Sequence, residues 1–410
     1  MKRYAFVGAS SRGLYMYGIP LTKDYPDCGS IVGIYDPNRK RAEFFQKKTN
    51  AEFPVFNSFD DMIKESQPDV VIITTIDRYH HEYAIKAMNA GCDVIIEKPM
   101  TIDDEKCNAI LEAEKRTGKN VIVTFNLRYA PFSIRIKELL KEGTIGDILN
   151  VHFEWNLDTS HGADYFRRWH RRKENSGGLL IHKCTHHFDL INWFLEEDPV
   201  AVSAFGTTRF YGPTRDNSNK RCLTCKIKGS CEFYFDIESQ ENGSLKDLYL
   251  KTEDVDGYIR DACVFSDEIA IEDTINLVAK YSGGASMSYS LAAHSPYEGY
   301  SLAFNGTLGR LEAKFLHGAI GPFAGQEIYE LKVYNRKQEE ITYKIPKPSG
   351  VHGGADTVIQ RAVFRNDLPD VLGQQAGTRA GAMSIAVGIA ANKSIKEGKT
   401  IYIKDLLFKV

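Results

Sequence analysis

The fold is decided by the stretch Ala5-Phe6-Val7-Gly8-Ala9-Ser10-Ser11-Arg12-Gly13, in which an apolar strand runs into a glycine turn. The turn matches the Gly-x-Gly-x-x-Gly fingerprint of dinucleotide-binding sheets, with Ser10 at the second glycine position. Gly8 would make the tight turn, and Gly13 would let the next helix pack close to the strand. The N-terminus of that helix would then receive a pyrophosphate.

The second predicted strand ends at Asp36, at about the spacing of 20 residues expected of a carboxylate that bonds the adenosine ribose. A carboxylate at this place disfavours a 2′-phosphate, so we expect NAD in preference to NADP. Arg39 and Arg41 lie close in sequence and leave that choice open. The competing interpretation is a parallel sheet without a nucleotide, in which Asp36 caps the following helix.

Apolar strand patterns alternate with helix patterns from Arg3 to Phe125, which predicts a parallel sheet covered on both faces. The predicted strands are Ala5–Val7, Ile31–Tyr35, Val70–Thr75, Val94–Ile96 and Val121–Phe125. Polar residues follow the third and fourth of these predicted strands, and ligands bind at the carboxyl ends of parallel strands. Pro99 fixes the second of these turns, so that Glu97 and Lys98 would be held in one conformation.

Length and charge set the broad class. A chain of 410 residues suits two domains. With 52 Lys and Arg against 54 Asp and Glu, the net charge of −2 shows no attraction to nucleic acid or to an anionic membrane. No apolar run reaches the roughly 20 residues that span a bilayer. The first residues lead into a strand and not into a signal peptide, so we expect a cytoplasmic protein.

These features resemble the Gfo/Idh/MocA family, named for glucose–fructose oxidoreductase, inositol dehydrogenase and a rhizopine catabolism protein. The resemblance rests on the Gly8–Gly13 turn, Asp36, Thr75 with His80, Ala90-Gly91, Glu97-Lys98-Pro99 and Asn126-Leu127-Arg128-Tyr129. It implies an α/β fold with an N-terminal Rossmann dinucleotide-binding domain (1–125) and a C-terminal α/β domain (126–410) that has a large, mostly antiparallel open sheet. It further implies bound NAD, a small-molecule carbohydrate substrate and a homodimer or homotetramer. The expected cofactor contacts are Gly8, Ser10, Arg12, Gly13, Asp36, Thr74, Thr75, Asp77, His80, Glu97, Lys98 and Asn126.

The second half of the chain has the alternation of an antiparallel sheet. Apolar and polar residues alternate over 275–281 and again over 286–291, on either side of the turn Ser282-Gly283-Gly284. This pattern predicts a hairpin with one apolar and one polar face. The segment Gln375–Lys396 predicts a helix of small residues that returns to the first domain.

The stretch Gly177–Asp189 is the richest in reactive side chains. Its helix pattern predicts that His182, His186 and Asp189 share one face at i, i+4 and i+7. The family pattern has Asp, Gly, His and Asp where this chain has His182, Cys184, His186 and Asp189, so the first two positions depart from it. The resemblance implies that Lys98 and His186 handle the proton of a substrate hydroxyl, with His182 orienting or relaying. The alternatives are a metal bound by histidines at i and i+4, or a purely structural His186.

Further residues are candidates for the substrate. Aromatic and cationic side chains together are common in carbohydrate sites, where rings stack on sugars and arginines bond hydroxyls. The competing interpretations are a solvated charged helix over residues 161–172 and a simple helix cap by Asp356. The substrate candidates are Arg128, Tyr165, Arg168, Trp169, Lys183, His352 and Asp356.

An insertion around residues 211–265 carries Cys222, Cys225, Cys231 and Cys263. Two cysteines separated by two residues, with a third close by, are typical of a tetrahedral thiolate site. We therefore expect a structural zinc that stabilises the insertion. The spacing is not that of a ferredoxin, which argues against an iron–sulfur cluster. Unligated thiols are the alternative.

The sequence thus predicts an NAD(H)-dependent oxidoreductase that removes hydride from a secondary hydroxyl of a sugar, polyol or glycoside. One alternative is an NAD-dependent redox glycosidase, which oxidises transiently, eliminates and reduces again without net cofactor turnover. Another is a sensor that binds the cofactor without turnover, against which the presence of Lys98 and His186 argues.

Overall fold

The computed structural model describes residues 1–215, 220–317, 328–347 and 351–406, without the side chains of His317 and Val351. These residues form two sheets with helices packed on them, which confirms the predicted α/β fold. Within the described part of the chain, no helix is both long and apolar enough to cross a membrane.

The first sheet has six parallel strands in the order β3-β2-β1-β4-β5-β6. Its strands form because they are apolar without interruption and lie between two helical layers; all four residues of β4, for instance, are buried. The strands are β1 Lys2–Val7, β2 Gly29–Tyr35, β3 Val55–Phe56, β4 Val70–Ile73, β5 Asp93–Ile96 and β6 Val121–Val123. The helices are α1 Ile19–Lys23, α2 Arg39–Thr49, α3 Phe59–Ser66, α4 His80–Asn89 and α5 Asp104–Thr117, with a π-helical segment Gly13–Gly18 before α1.

The second sheet has nine strands in the order β14-β13-β12-β11-β7-β10-β9-β8-β15. All neighbours pair antiparallel except β7 and β10, which are parallel, so the sheet is mixed and mostly antiparallel. Its strands are β7 Ile148–Asp158, β8 Pro199–Thr207, β9 Thr274–Tyr281, β10 Ser286–Ser295, β11 Glu298–Gly306, β12 Gly309–His317, β13 Ile328–Asn335, β14 Glu340–Pro346 and β15 Ile401–Tyr402. The remaining helices are α6 Pro131–Lys141, α7 Thr159–Arg167, α8 Lys173–Ser176, α9 Leu179–His182, α10 Thr185–Leu195, α11 Ser244–Leu248, α12 Glu253–Asp256, α13 Ala355–Phe364 and α14 Thr378–Glu397.

The hairpin predicted around Ser282–Gly284 is present as β9 and β10, with Met287 opposite Ala279. Met287 is buried against the helices, whereas Val278 on the other face is 55% exposed and Phe205 of β8 is 79% exposed. The outer face of the sheet is therefore open in this single chain. The expected homodimer or homotetramer stays a prediction.

Helix α14 joins the two halves, as the sequence predicts. The main chain just before it pairs with the edge of the first sheet, where the Val123 N–H donates to the Ala376 carbonyl at 2.9 Å. Its small residues allow close packing: a Cβ on Gly388 would lie 2.4 Å from the carbonyl oxygen of Leu180. Nearer the start of α14, a Cβ on Gly381 would lie 3.1 Å from Val123 Cγ2 of the first half. The helix therefore packs on both halves.

The helix expected over Gly177–Asp189 is not continuous. Helix α9 ends at His182 and α10 begins at Thr185. The N–H groups of Lys183 and Cys184 both donate to the carbonyl of Leu179, so the hydrogen-bond ladder restarts at this point. His182 and His186 are consequently not stacked one turn apart on a single helix face.

Candidate active site

The two halves of the molecule meet at the carboxyl edge of the first sheet. Lys98 follows β5, and its Nζ donates to the carbonyl oxygen of His182, which ends α9, at 3.0 Å. The side chain of Asp77, which follows β4, lies 2.6 Å from His182 Nδ1. Polar groups that follow two parallel strands thus converge on one segment of the second half.

The glycine turn packs tightly on β4. Gly8 has φ +93°, and a Cβ there would lie 2.7 Å from the main chain of Thr74. A Cβ on Gly13 would lie 2.5 Å from Thr74 Oγ1. Thr74 Oγ1 also donates to the Gly8 carbonyl at 2.7 Å, and Ser10 Oγ accepts from the Gly13 N–H at 3.0 Å. These contacts explain why two positions of the fingerprint require glycine.

Asp36 is tied to the same turn. Its Oδ2 accepts from the Ala9 N–H and its Oδ1 from the Asn38 N–H, each at 2.7 Å. Burial raises the pKa of Asp36, although both backbone bonds act in the opposite direction. The carboxylate is thus oriented beside the turn, where the ribose contact is predicted.

Lys98 is half-buried between charged neighbours. Burial lowers its pKa from 10.5 to about 8, while the charges of Asp77 and Glu97 act in the opposite direction. Glu97 accepts from Arg12 Nε at 2.8 Å and from the Tyr17 hydroxyl at 2.7 Å.

The turn that carries Lys98 is held by His80. Its Nδ1 lies 2.9 Å from the Pro99 carbonyl oxygen and its Nε2 lies 3.2 Å from the Thr75 carbonyl oxygen. His80 is 1% exposed. These contacts link the turn after β5 to the one after β4, so His80 positions the main chain on either side of the site.

His182 belongs to a cluster that the sequence does not show. Burial lowers the pKa of His182 and raises that of Asp77, so the low-polarity surroundings favour the neutral form of each group. The ring of His170 lies 4.0 Å from that of His182, centroid to centroid, and stacks on Trp169 at 3.7 Å. The aspartate that the family pattern has at position 182 is therefore replaced by a histidine whose carboxylate partner comes from the first half.

His186 and Asn126 present unused polar atoms beside Lys98. Nδ1 of His186 and Oδ1 of Asn126 are buried, and among the described residues neither has a hydrogen-bond partner. Burial, reinforced by the charges of Lys98 and Lys183, lowers the pKa of His186 well below its usual value. The imidazole is accordingly neutral at physiological pH and able to accept a proton.

Tyr165 and Trp169 both lie edge-on to the ring of His182, with centroid distances of 5.7 and 5.4 Å. The Tyr165 hydroxyl lies 3.0 Å from His161 Nε2, and His161 Nδ1 lies 2.8 Å from Glu298. This chain of Tyr165, His161 and Glu298 was not predicted, because Glu298 lies on β11, far away in sequence.

Arg168 and Lys183 also lie near this cluster. Arg168 pairs with Asp164 at 3.2 Å, and Asp164 is also held by Arg260 of the insertion at 2.7 Å. Lys183 is 8% exposed, and its Nζ lies 5.0 Å from the ring centroid of Trp155.

His352 and Asp356 lie on the other side of the site. His352 Nδ1 is 2.9 Å from Asp356 Oδ2, and Asp356 Oδ1 accepts from Asn126 Nδ2 at 2.7 Å. Arg12 reaches the same carboxylate at 3.3 Å. Asp356 therefore ties the glycine turn to the 3₁₀ turn after β6 that contains Asn126.

Arg128 is fully engaged by protein groups. Its Nε and Nη2 donate to the carboxylate of Asp189 at 2.8 and 2.6 Å, and its Nη1 donates to the Gly373 carbonyl at 2.9 Å. The side chains of Arg128 and Asp189 are only 7% and 1% exposed. Arg128, which the sequence analysis proposed as a substrate residue, therefore lies in a buried ion pair.

The expected zinc site is not supported. The four cysteines of the insertion line one small cavity, but Cys222 Sγ accepts from Arg167 and Cys263 Sγ accepts from the Phe265 N–H. Over the ranges that the structure describes, no three His, Cys, Asp or Glu side chains are grouped so that they could hold a metal ion.

Comparisons with known proteins cover the whole chain. The sequence matches the Gfo/Idh/MocA oxidoreductase family, NAD-binding Rossmann fold, over residues 2–125 and the C-terminal alpha/beta domain of the same family over residues 137–404. The Bacillus subtilis (strain 168) protein YteT, which bears the provisional name of an oxidoreductase, is 39% identical over 99% of both chains. Inositol 2-dehydrogenase of Salmonella typhimurium is 24% identical over 59% of this chain and 72% of its own.

Solved structures share the fold at low sequence identity. The WlbA dehydrogenase from Bordetella pertussis, in complex with NADH and UDP-GlcNAcA, superposes with a TM-score of 0.66 at 18% identity and covers 98% of both chains. GenD2 from gentamicin A biosynthesis, in complex with NAD, gives a TM-score of 0.65 at 16% identity and covers 98% of this chain and 96% of its own. The chain belongs to the Gfo/Idh/MocA family of oxidoreductases, with an NAD-binding Rossmann fold followed by the family's C-terminal α/β domain.

Proposed function

We propose that the protein is an NAD(H)-dependent dehydrogenase that oxidises a secondary hydroxyl of a sugar, polyol or glycoside. Residues 1–125 would hold the dinucleotide and residues 126–410 the substrate. The observation that carries the proposal is the convergence of the Lys98 amine with a histidine cluster at the carboxyl edge of the nucleotide sheet. Relatives named for inositol 2-dehydrogenase, and a similar structure solved with NADH and UDP-GlcNAcA, support a polyhydroxylated substrate.

The residues present fit a dinucleotide. The glycine turn allows the close approach that a pyrophosphate needs, and Asp36 is oriented for ribose hydroxyls. The Oδ1 of Asn126 is a buried acceptor without a donor among the residues that the structure describes, which suits a bound polar group. When bound, the dinucleotide supplies the hydride acceptor, and the protein supplies placement and proton transfer.

Two side chains would act on the reacting hydroxyl. His186, neutral in its buried setting, accepts the hydroxyl proton as general base. Lys98, as an ammonium, donates a hydrogen bond to the same oxygen and stabilises the charge that develops there. His182 acts as a positioning residue, because its carbonyl accepts from Lys98 and its ring is held by Asp77.

The aromatic and charged residues nearby would bind the rest of the substrate. Trp169 is partly exposed beside His182 and offers a face for a sugar ring. Arg168, held in place by Asp164, would donate to substrate hydroxyls. His352, which is 44% exposed on the opposite side, would close the pocket.

The proposal is tested by incubating the protein with NAD and a panel of polyols, monosaccharides and aryl glycosides. We expect NADH to accumulate with at least one polyol or sugar. Cleavage of an aryl glycoside without net NADH would replace this proposal by the redox glycosidase. If neither product forms across the panel although NAD binds, the protein is a cofactor-binding sensor and the proposal is wrong.

The pH dependence of the oxidation separates two roles of Lys98. Its pKa of about 8 means that the amine is protonated below pH 8 and loses its proton above it. If the ammonium stabilises the alkoxide, kcat/KM for oxidation falls as the pH rises through about 8. A rise through the same range would instead make Lys98 the base. Steady-state rates at saturating NAD, measured from about pH 6 to pH 10, decide between the two.

A further inference from the structure

The second half of the insertion, residues 244–258, packs against the nucleotide half of the molecule; we call this segment the strap. It contains α11 and α12, and its apolar side chains Leu245, Leu248 and Tyr249 form a small cluster with Phe44 of α2. At its base, Arg221 pairs with Glu253 at 2.9 Å and with Asp261 at 2.6 Å. The strap is thus fixed in one position.

The strap contacts both parts of the predicted adenosine end of the cofactor site. The Tyr249 hydroxyl accepts from the Ser11 N–H of the glycine turn at 3.1 Å. The Thr252 carbonyl accepts from Asn38 Nδ2 at 2.8 Å, only two residues after Asp36. The strap therefore lies directly beside the turn and the carboxylate that would hold the dinucleotide.

The strap also accepts hydrogen bonds from all three nitrogens of the Arg41 guanidinium. Asp256 binds it with two contacts of 2.5 and 3.0 Å, and Thr252 Oγ1 accepts from its Nε at 3.2 Å. The rings of Tyr249 and Tyr258 lie near the guanidinium, with centroids 5.5 and 5.3 Å from its central carbon. Arg41 is one of the two arginines that left the choice between NAD and NADP open, because an arginine near the ribose can accept a 2′-phosphate. Here that charge is already neutralised.

We infer that the strap is the outer wall of the adenosine site and that its Asp256 makes the site selective for NAD over NADP. This inference rests on the proposed function, since it assigns a selectivity to the same cofactor site. A 2′-phosphate would meet two carboxylates, Asp36 just after β2 and Asp256 from the strap. Arg41 is already paired with Asp256, and Arg39 pairs with Glu43 at 2.9 Å. Like charges brought together without a compensating partner are strongly unfavourable.

The test measures binding of NADPH and NADH by their fluorescence, without any sugar substrate. Asp256→Asn keeps the shape and hydrogen-bonding atoms of the side chain but removes its charge. We expect the Kd for NADPH to fall at least about tenfold while the Kd for NADH changes less than about threefold. Asp254→Asn is the matched control, because Asp254 lies on the same helix and pairs only with the exposed Lys40. We expect no change in either Kd for this variant.

Arg41→Met gives a second test that does not depend on the folding of Asp256→Asn. If Arg41 is neutralised in the native protein, Arg41→Met alone weakens NADPH binding less than about twofold. In the double variant Arg41→Met with Asp256→Asn, the tighter NADPH binding expected of Asp256→Asn should be absent. The inference is overturned if Arg41→Met alone weakens NADPH binding tenfold, or if Asp256→Asn and Asp254→Asn behave alike. Failure of the native protein to bind either dinucleotide would overturn the proposed function as well, and is thereby distinguished from failure of the inference alone.

Discussion

Replacing Lys98 with methionine is expected to lower the rate of hydride transfer by about 10²–10³-fold with NAD still bound. Methionine preserves much of the apolar stem but removes the only polar group of the side chain. Nζ of Lys98 lies 3.0 Å from the His182 carbonyl, in a site where Asp77 and Glu97 favour its charged form. Because most of the surrounding groups are buried, a hydrogen-bond donor stabilises the developing alkoxide charge more strongly there than in water.

Single-turnover mixing of the NAD-loaded protein with the oxidisable substrate measures this step directly. Lys86→Met is the matched control, since the Lys86 side chain is 44% exposed and pairs with Glu82 one turn away on α4. That variant should keep the native rate. The fall in kcat/KM above about pH 8 should also be absent from Lys98→Met, because the group that titrates there is gone. An undiminished single-turnover rate would remove Lys98 from the mechanism.

The nucleotide half of the fold was predictable because its signals are local. Each long strand ends in a mainly apolar run, and a polar turn follows β5 directly in sequence, so Glu97 and Lys98 could be placed at the carboxyl edge. The strand β3 was missed because only Val55 and Phe56 form it, which is too short for a pattern. Local patterns therefore predict this sheet and the place of its site, but not its edge strand.

The charge state of the histidine cluster could not be predicted from the sequence. The sequence shows His182 where the family has an aspartate, but the carboxylate that faces it, Asp77, lies 105 residues away. His170 also reaches the cluster although its own stretch is only an irregular turn. Contacts of this kind depend on how α14 sets the two halves together, and no spacing along the chain encodes them.

In the insertion, a local pattern was present but led to a wrong expectation. The spacing of Cys222, Cys225 and Cys231 suggested zinc, yet the sulfur environment depends on buried groups such as Arg167, which lies outside the insertion. The strap residues Tyr249 and Asp256 carried no motif, and their place beside the glycine turn emerges only from tertiary packing. The four cysteines do line one cavity, yet among the described residues no three of them are grouped so that they could hold a metal ion.

Replacing Asp189 with asparagine is expected to lower the free energy of unfolding by about 3–5 kcal/mol. The change leaves the Arg128 guanidinium buried without its counter-charge, because the pair is 7% and 1% exposed. Arg128 also lies 5.8 Å from the ring of Trp193, so tryptophan fluorescence during urea unfolding reports on this region. The double variant Arg128→Met with Asp189→Leu, which removes both charges, should recover most of the loss.

Asp198→Asn is the matched control, because it removes the same charge from an ion pair that is exposed and not buried. Asp198 makes the same two-point contact with Arg379, at 2.6 and 2.9 Å, but these side chains are 40% and 60% exposed. Water screens such a pair, so its loss should cost less than about 1 kcal/mol. Equal unfolding midpoints for the two asparagine variants would show that the Arg128–Asp189 pair does not stabilise the fold.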